Sequence, residues 1–289
     1  EDIKLTYFEF STLAAFIIFE KAEVDIAILE VGLGGRLDSV NVVDSDVSII
    51  TNIAIDHTDY LGDTREAIGR EKAGVMRGSR PCICGDQDPP QSLLAYAKEI
   101  GTDITFVSKA YEDEIGLEGD HQRLNAAVAI KAVESLAVQN PISKSMISEG
   151  IKNASIRARF EKVEIGDKTI ILDVAHNPAA VKTLVETLSK SSMQTVAIFS
   201  ALVDKDIIEM IELASKAIKH WYLVPLSSER AIESEVLNKK FSSSDSTTIC
   251  QDMESAIHGS LALREVERIV IFGSFYTIAD ASIIINKLR

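Results

Sequence analysis

Glu30 closes an apolar run, Ile26-Ala27-Ile28-Leu29-Glu30-Val31, that reads as a buried strand and breaks at Gly32-Leu33-Gly34-Gly35. A second run, Val47 to Ile53, leads to Asp56-His57. Open α/β sheets bind ligands at the carboxyl ends of their strands, so this reading brings a carboxylate and an imidazole to one edge. Both are donors for a metal ion. A carboxylate after apolar residues is costly to bury alone and is usually paired or metal-bound. For Glu30 a salt bridge to Arg36 competes almost equally with a metal. His57, set between Asp56 and Asp59, tilts the balance, because a neutral imidazole with its second nitrogen hydrogen-bonded makes a good ligand. A lone histidine is nevertheless more often structural.

Gly32, Gly34 and Gly35 permit a tight turn and close approach to a ligand. They do not form G-x-G-x-x-G, because Leu37 takes the last position, so a nicotinamide or flavin site is poorly supported. Lys72 lies on a helical pattern where it shares a face with Ile68 by i, i+4 spacing. Burial would lower its pKa and make the amine nucleophilic or modifiable, whereas an exposed lysine stays a solvated ammonium. Local sequence favours exposure. Farther on, Thr169-Ile170-Ile171-Leu172 runs into Asp173-Val174-Ala175-His176-Asn177-Pro178, a polar cluster at another strand end, with Pro178 suited to a helix's first turn.

The elements that position these groups alternate between helical and β-branched patterns, which predicts a doubly wound α/β fold. Strands are expected near 26–31, 47–53 and 104–107, and helices near 8–22, 65–76, 90–100, 122–137 and 143–152. A fresh series of strands near 169–173, 195–199, 221–224 and 268–272 follows a polar stretch, Asn153 to Arg159. The boundary is set near 155, dividing a first domain, 1–155, from a smaller α/β domain, 156–289.

The chain has 289 residues, 46% of them apolar, enough for two cores. Its 44 acidic and 30 basic residues give a net charge of -14, and no basic patch stands out, so no nucleic acid is expected as partner. Cys82, Cys84 and Cys250 match neither a disulfide set nor a zinc spacing, which indicates free thiols and a cytoplasmic location. No apolar run approaches the roughly 20 residues that span a bilayer, and no membrane partner is expected.

Several segments together carry a resemblance. Leu29 to Asp38, Asp56-His57-Thr58, Arg70-Glu71-Lys72-Ala73-Gly74, His121 to Ala126, Arg159-Phe160-Glu161, Asp173 to Pro178 and Phe272 to Tyr276 resemble, in order, the folylpolyglutamate synthase family. The bifunctional bacterial form, with dihydrofolate synthase activity, is the nearest likeness, and the family is related to the Mur ligases. The resemblance implies a Mur ligase-like central nucleotide-binding domain, N-terminally incomplete, followed by a smaller doubly wound α/β domain.

It also implies roles. Glu30 and His57 match magnesium ligands, and Lys72 matches a lysine that is carbamoylated in the superfamily, giving two Mg2+ ions, one through the modified lysine. Asn125, Arg159 and Asp173 match ATP-contacting positions, the last two reaching from the smaller domain. His176 matches a catalytic position beside Asn177. Thr6, Tyr7, Phe8 and Glu9, with Leu37, Asp38 and Ser39, match the pteroate pocket. Lys205-Asp206 resembles the family's Asp-Lys-Asp turn, with a solvated loop as an equal reading. The implied reaction joins L-glutamate to dihydropteroate or a reduced folate at the expense of ATP, through an acyl phosphate, in a monomeric enzyme.

One departure is plain. No G-x-x-x-x-G-K-[ST] occurs in the sequence, although phosphates need such a backbone cradle. The chain is therefore expected to be a piece whose P-loop lies upstream, inactive by itself. A Mur-type cell-wall precursor ligase and a non-catalytic nucleotide- or folate-binding fragment are the alternatives.

Overall fold

A computed structural model describes residues 4–136 and 142–289, which form two compact units. The first contains residues up to 113 together with 123–147; the second contains 114–122 and 148–289.

In the first unit, helix α1 (Tyr7–Ala22) starts from a capping box. Thr6 Oγ1 accepts from the Glu9 N–H at 3.2 Å, and the Glu9 carboxylate accepts from the Thr6 N–H at 2.7 Å. Strand β1 (Ser48–Ile50) is followed by the short α2 (Thr58–Leu61) and by α3 (Arg65–Ala73), which Thr64 caps. Strand β2 (Pro81–Cys84), helix α4 (Gln91–Ile100), strand β3 (Asp103–Phe106) and helix α5 (Asp120–Ser135) complete the sequence up to α6 (Lys144–Asn153). The three strands are parallel in the order β1-β2-β3. Cys82 and Cys84 face a cluster with Ile68, Met76 and Leu93, whereas Ile83 faces Val128 and Ala132. Side chains of successive strand residues point to opposite faces, which explains this division. Residue 137, the last of the helix expected over 122–137, lies outside the described residues.

The expected strand at 26–31 does not form. Its residues have no ladder partner among the described residues, and Ile26 and Ile28 are 51% and 90% exposed. Apolar content makes a strand favourable only where a neighbour satisfies its N–H and C=O groups. Glu30 is accordingly not delivered by a strand end. The run at 47–53 keeps only Ser48–Ile50 as strand. Strand β2, by contrast, was missed in the sequence and lies at the centre of the sheet.

The second unit is a six-stranded sheet ordered β4-β5-β9-β6-β7-β8. Strands β4 (Glu161–Ile165) and β5 (Lys168–Leu172) form an antiparallel hairpin. After them come α7 (Pro178–Leu188), β6 (Thr195–Phe199), α8 (Ile207–Ala214), β7 (Trp221–Leu223), α9 (Ser234–Asn238), β8 (Thr247–Ile249), α10 (Met253–Leu261), β9 (Arg268–Phe272) and α11 (Phe275–Leu288). The strands from β5 onward pair in parallel. Ile171, Ala197, Phe199, Val270 and Phe272 pack against α7, α8 and α9; Ile170, Ile198, Ile269 and Ile271 pack against α10 and α11. Strands buried on both faces read as unbroken apolar runs, which is why β5, β6 and β9 were visible in the sequence. β4 and β8, which carry exposed positions, were not.

Gly74 offers a direct test of close packing in the first unit. Its φ of -60° suits any residue, but an added Cβ would stand 2.6 Å from Arg36 Cα. Gly74→Ala is expected to destabilise the fold by about 1–3 kcal/mol, measured by denaturant unfolding, through this backbone clash alone.

Candidate functional site

Polar groups gather in each unit, around the glycine loop and α3 in the first and just past β5 in the second. In the first unit the glycine segment is held from three sides. The Phe8 ring lies where a Cβ on Gly32 would be 2.7 Å from its Cζ, Leu61 closes on Gly34, and the α3 backbone at Glu71 and Lys72 presses on Gly35. Gly34 has φ +70°, so only this turn geometry with a glycine is unstrained. Asp38 fastens the loop from inside: one carboxylate oxygen accepts from the Gly32 and Leu33 N–H groups at 3.0 and 2.9 Å, the other from Val40 at 2.9 Å. Ser39 Oγ meets Thr12 Oγ1 at 3.0 Å, tying the loop to α1.

Among the residues matched to a pteroate pocket, Thr6 and Glu9 are thus engaged in the α1 cap, and Asp38 and Ser39 in the loop. Tyr7 and Leu37 are 88% and 79% exposed. Phe8 combines a partly exposed face with its contact on Gly32.

Arg36 does not pair with Glu30. Its guanidinium donates to Glu71 at 2.9 and 3.1 Å, while its own N–H donates to the Glu71 carbonyl at 2.9 Å, so the loop is bolted to α3. Glu30 is exposed and makes no hydrogen bond or ion pair among the described residues. That leaves its carboxylate available for a ligand. His57 is exposed too and adopts φ 53°, ψ 42° at the start of α2, a left-handed conformation uncommon for a non-glycine residue. Its N–H donates to Asp56 at 2.8 Å, and its Nε2 lies 4.0 Å from the same carboxylate.

Lys72 corrects the exposed reading. The side chain is half-buried on α3, and burial holds its pKa below the ordinary lysine value, opposed by the Asp56 carboxylate. The environment therefore penalises the ammonium form. Among the described residues no three His, Cys, Asp or Glu side chains are grouped to hold a metal. Mg2+ does not need such a cage, since it keeps waters and takes one or two carboxylates together with substrate phosphates. Glu30, without a hydrogen-bond or ion-pair partner among the described residues, and an exposed His57 fit that mode of binding.

The sequence missed Arg65 and Asp86. Asp86 follows Pro81-Cys82-Ile83-Cys84-Gly85, an apolar strand running into a carboxylate, the same signal that drew attention to Glu30. The buried thiols themselves are inert in this setting, the Cys82 pKa being pushed up to about 11 by burial.

In the second unit Asp173 stands just past β5. Its two oxygens accept from the Ala175 and Phe160 N–H groups at 2.8 and 2.9 Å. Burial nevertheless raises its pKa above the ordinary aspartate value, against the lowering effect of those bonds and of Arg159 and His176. Arg159 is exposed between Ala158 and Phe160, both buried and both at positive φ, 59° and 53°. The Ala158 carbonyl accepts from Val174 at 2.9 Å and its N–H donates to Glu161 at 2.9 Å. The strained turn presenting Arg159 is thereby braced by the strand end carrying Asp173. Arg159 also helps, after burial, to hold the His121 pKa low.

His176 donates from Nδ1 to the Val174 carbonyl at 2.8 Å, which fixes the orientation of the ring. Its ring is 6.1 Å from that of Phe275 at the start of α11. Asn177 caps α7 by accepting from Ala180 at 2.9 Å. Asn125 lies half-buried on α5. The Lys205 side chain is buried beside Asp204, which pairs with Arg230 at 2.8 Å, and Asp206 caps α8. A fully solvated loop is excluded there.

Asp173 supplies a pH test. A carboxylate whose native pKa exceeds its unfolded value contributes stability that is complete at low pH and lost as pH rises through the native value. As pH rises from about 4 towards neutrality, wild type is expected to lose unfolding stability relative to Asp173→Asn. A difference between the two that is constant with pH would contradict the raised pKa.

Comparison with known proteins identifies the family of both units. Residues 4–110 match the Mur ligase middle domain, and residues 158–275 match the Mur ligase glutamate ligase domain. The dihydrofolate synthase/folylpolyglutamate synthase of Escherichia coli K12 is 36% identical over 308 aligned residues, covering 100% of this chain and 71% of the relative. The structure of E. coli FolC in complex with DHPP and ADP superposes with a TM-score of 0.89 at 32% identity, covering 99% of this chain and 72% of that one. The bifunctional enzyme of Yersinia pestis, complexed with AMPPNP and Mn ion, gives 0.86 at 37% identity, covering 96% and 70%.

Proposed function

The chain belongs to the dihydrofolate synthase/folylpolyglutamate synthase family of Mur ligases, and on that premise we propose that it serves ATP-dependent addition of L-glutamate to dihydropteroate and to the γ-glutamyl tail of reduced folates. The observation that carries this reading is Lys72, half-buried beside Asp56 where the ammonium form is penalised. The neutral form of such an amine can add CO2, losing a proton and becoming an anionic carbamate. Such a group turns an unfavourable cation into an oxygen donor, the ligand type that joins Glu30 and His57 in the proposed metal set.

Each residue then has a task. Glu30, His57 and carbamoylated Lys72 would hold Mg2+, two ions in all, which supply charge neutralisation of the phosphates. The substrate carboxylate takes the γ-phosphoryl group of ATP, releasing ADP and leaving an acyl phosphate. The glutamate amine attacks its carbonyl, the C–O bond to phosphate breaks, and an amide and phosphate result. His176, its ring oriented by the Val174 carbonyl, accepts the proton the amine gives up. Asn125, Arg159 and Asp173 take the nucleotide, Asp173 chiefly by holding the turn that presents Arg159. Phe8 offers a flat aromatic surface to the pterin, flanked by Thr6, Tyr7, Glu9, Leu37, Asp38 and Ser39.

Within the described residues no helix is long and apolar enough to cross a membrane. The proposal places the enzyme in the cytoplasm as a monomer.

The test is an assay on the intact gene product with ATP, Mg2+, L-glutamate and either dihydropteroate or a reduced folate. The expected product is heavier by one glutamate, and 18O in the acceptor carboxylate should appear in the released phosphate. Turnover with a cell-wall precursor in place of folates would favour the Mur-type alternative. ATP binding without any turnover would favour a non-catalytic role.

A further inference from the structure

The segment leading to Asp56-His57 leaves the sheet early, and one ion pair takes over from the ladder. The Ile50 carbonyl accepts the last sheet-edge bond, from the Gly85 N–H at 2.8 Å. Beyond it, Ile53 is held by side chains: its N–H donates to Asp86 Oδ2 at 2.6 Å, and its carbonyl accepts from Arg65 Nε at 3.0 Å. Arg65 and Asp86 close the ring on each other, Nη2 donating to Oδ1 at 2.9 Å and to Oδ2 at 3.2 Å. The Asp86 side chain is 6% exposed, and Oδ1 also accepts from the Asp88 N–H at 3.0 Å. Arg65 is further anchored to the Asp88 carbonyl at 2.8 Å and carboxylate at 3.1 Å.

The covalent neighbours of this ring are the chemical groups of the first unit. Ile53 begins the segment that carries Asp56 and His57, and Arg65 is the first residue of α3. Lys72 follows two turns later on the same helix, about 10 Å along the axis. One guanidinium, with Nε on the Ile53 carbonyl and Nη2 on Asp86, therefore ties the start of the histidine segment to the helix that carries the lysine. A planar fork is needed, because one guanidinium serves a carbonyl and a carboxylate together.

We propose that Arg65 and Asp86 are positioning residues for the metal edge, holding the Asp56-His57 segment at a set distance from Lys72. The inference rests on the assignment of Glu30, His57 and Lys72 to that edge. Neither residue of the pair touches substrate or metal in this account; both act through the backbone of Ile53. Partners of this kind commonly change metal affinity or activity by about 10–100-fold when removed.

The experiment uses the intact gene product and two variants, Arg65→Lys, which keeps the charge but loses the fork, and Asp86→Asn, which keeps one acceptor. Mn2+ binding in the presence of a non-hydrolysable ATP analogue is followed by the EPR signal of the free ion, alongside kcat, the glutamate KM and the thermal unfolding midpoint. The expected result is weaker Mn2+ binding and lower kcat, each by about 10–100-fold, with glutamate KM unchanged and the Mn2+ loss present at temperatures where each variant is fully folded. Mn2+ affinity equal to wild type in both variants would overturn the proposal. So would a loss of Mn2+ affinity that appears only with a matching fall in unfolding midpoint. If wild type binds Mn2+ but ligates no glutamate, the functional reading fails while the Mn2+ shifts still decide the role of the pair.

Discussion

Glu30→Gln and His57→Asn are each expected to lower amide formation by about 10²–10³-fold while the protein stays folded. Both side chains are exposed, and Glu30 makes no hydrogen bond or ion pair among the described residues, so little of the fold depends on them. Surface changes of this kind usually alter stability by no more than about 0.5 kcal/mol. The choice of Asn at 57 matters. The backbone there is left-handed, a conformation that Asn tolerates and that costs alanine about 1–2 kcal/mol. His57→Ala would thus mix a backbone penalty with the loss of the ring. The measurement is steady-state turnover across a Mg2+ titration, paired with thermal unfolding. Near-normal turnover at saturating Mg2+ in either variant would remove that residue from the ligand set.

Lys72→Ala should cost a similar factor, about 10²–10³-fold, and acetate or formate should restore part of the activity. The half-buried position on α3 that penalises an ammonium leaves, after truncation, a space into which a short carboxylate can bring the missing anionic oxygens. Lys72→Arg should show no such rescue, since its guanidinium stays charged and cannot take up CO2. In wild type, bicarbonate labelled with 13C should give a carbamate signal that Lys72→Ala lacks. Three null results together, activity indifferent to CO2, no carbamate signal and no rescue, would leave Lys72 as a buried cation beside Asp56.

Much of the second unit was legible along the chain. Strands β6 and β9 are apolar at all but their first position, and β5 over its last three, because helices cover both faces of the sheet, and unbroken runs of that kind stand out. The first unit was harder. Ile26 to Val31 has the same apolar character yet pairs with nothing among the described residues, whereas Pro81 to Cys84, with a proline and two cysteines, occupies the sheet centre. A run's composition reports its preference for burial; whether it becomes a strand depends on a neighbour elsewhere in the chain.

The polar groups follow the same division. By residue type and order the sequence alone marked Glu30, His57, Lys72, Asp173 and His176 as chemistry-bearing, together with the glycine turn, because carboxylates, imidazoles and amines announce themselves. Tertiary structure decided their state. It paired Arg36 with Glu71 and not with Glu30, half-buried Lys72, set His57 in a left-handed turn, and used Asp173 to brace the turn that presents Arg159. It also brought Arg65 and Asp86, 21 positions apart in sequence, into one hydrogen-bonded ring around Ile53. The reason is physical: residue chemistry is a local property, but desolvation and ion pairing depend on distances that only the folded chain sets.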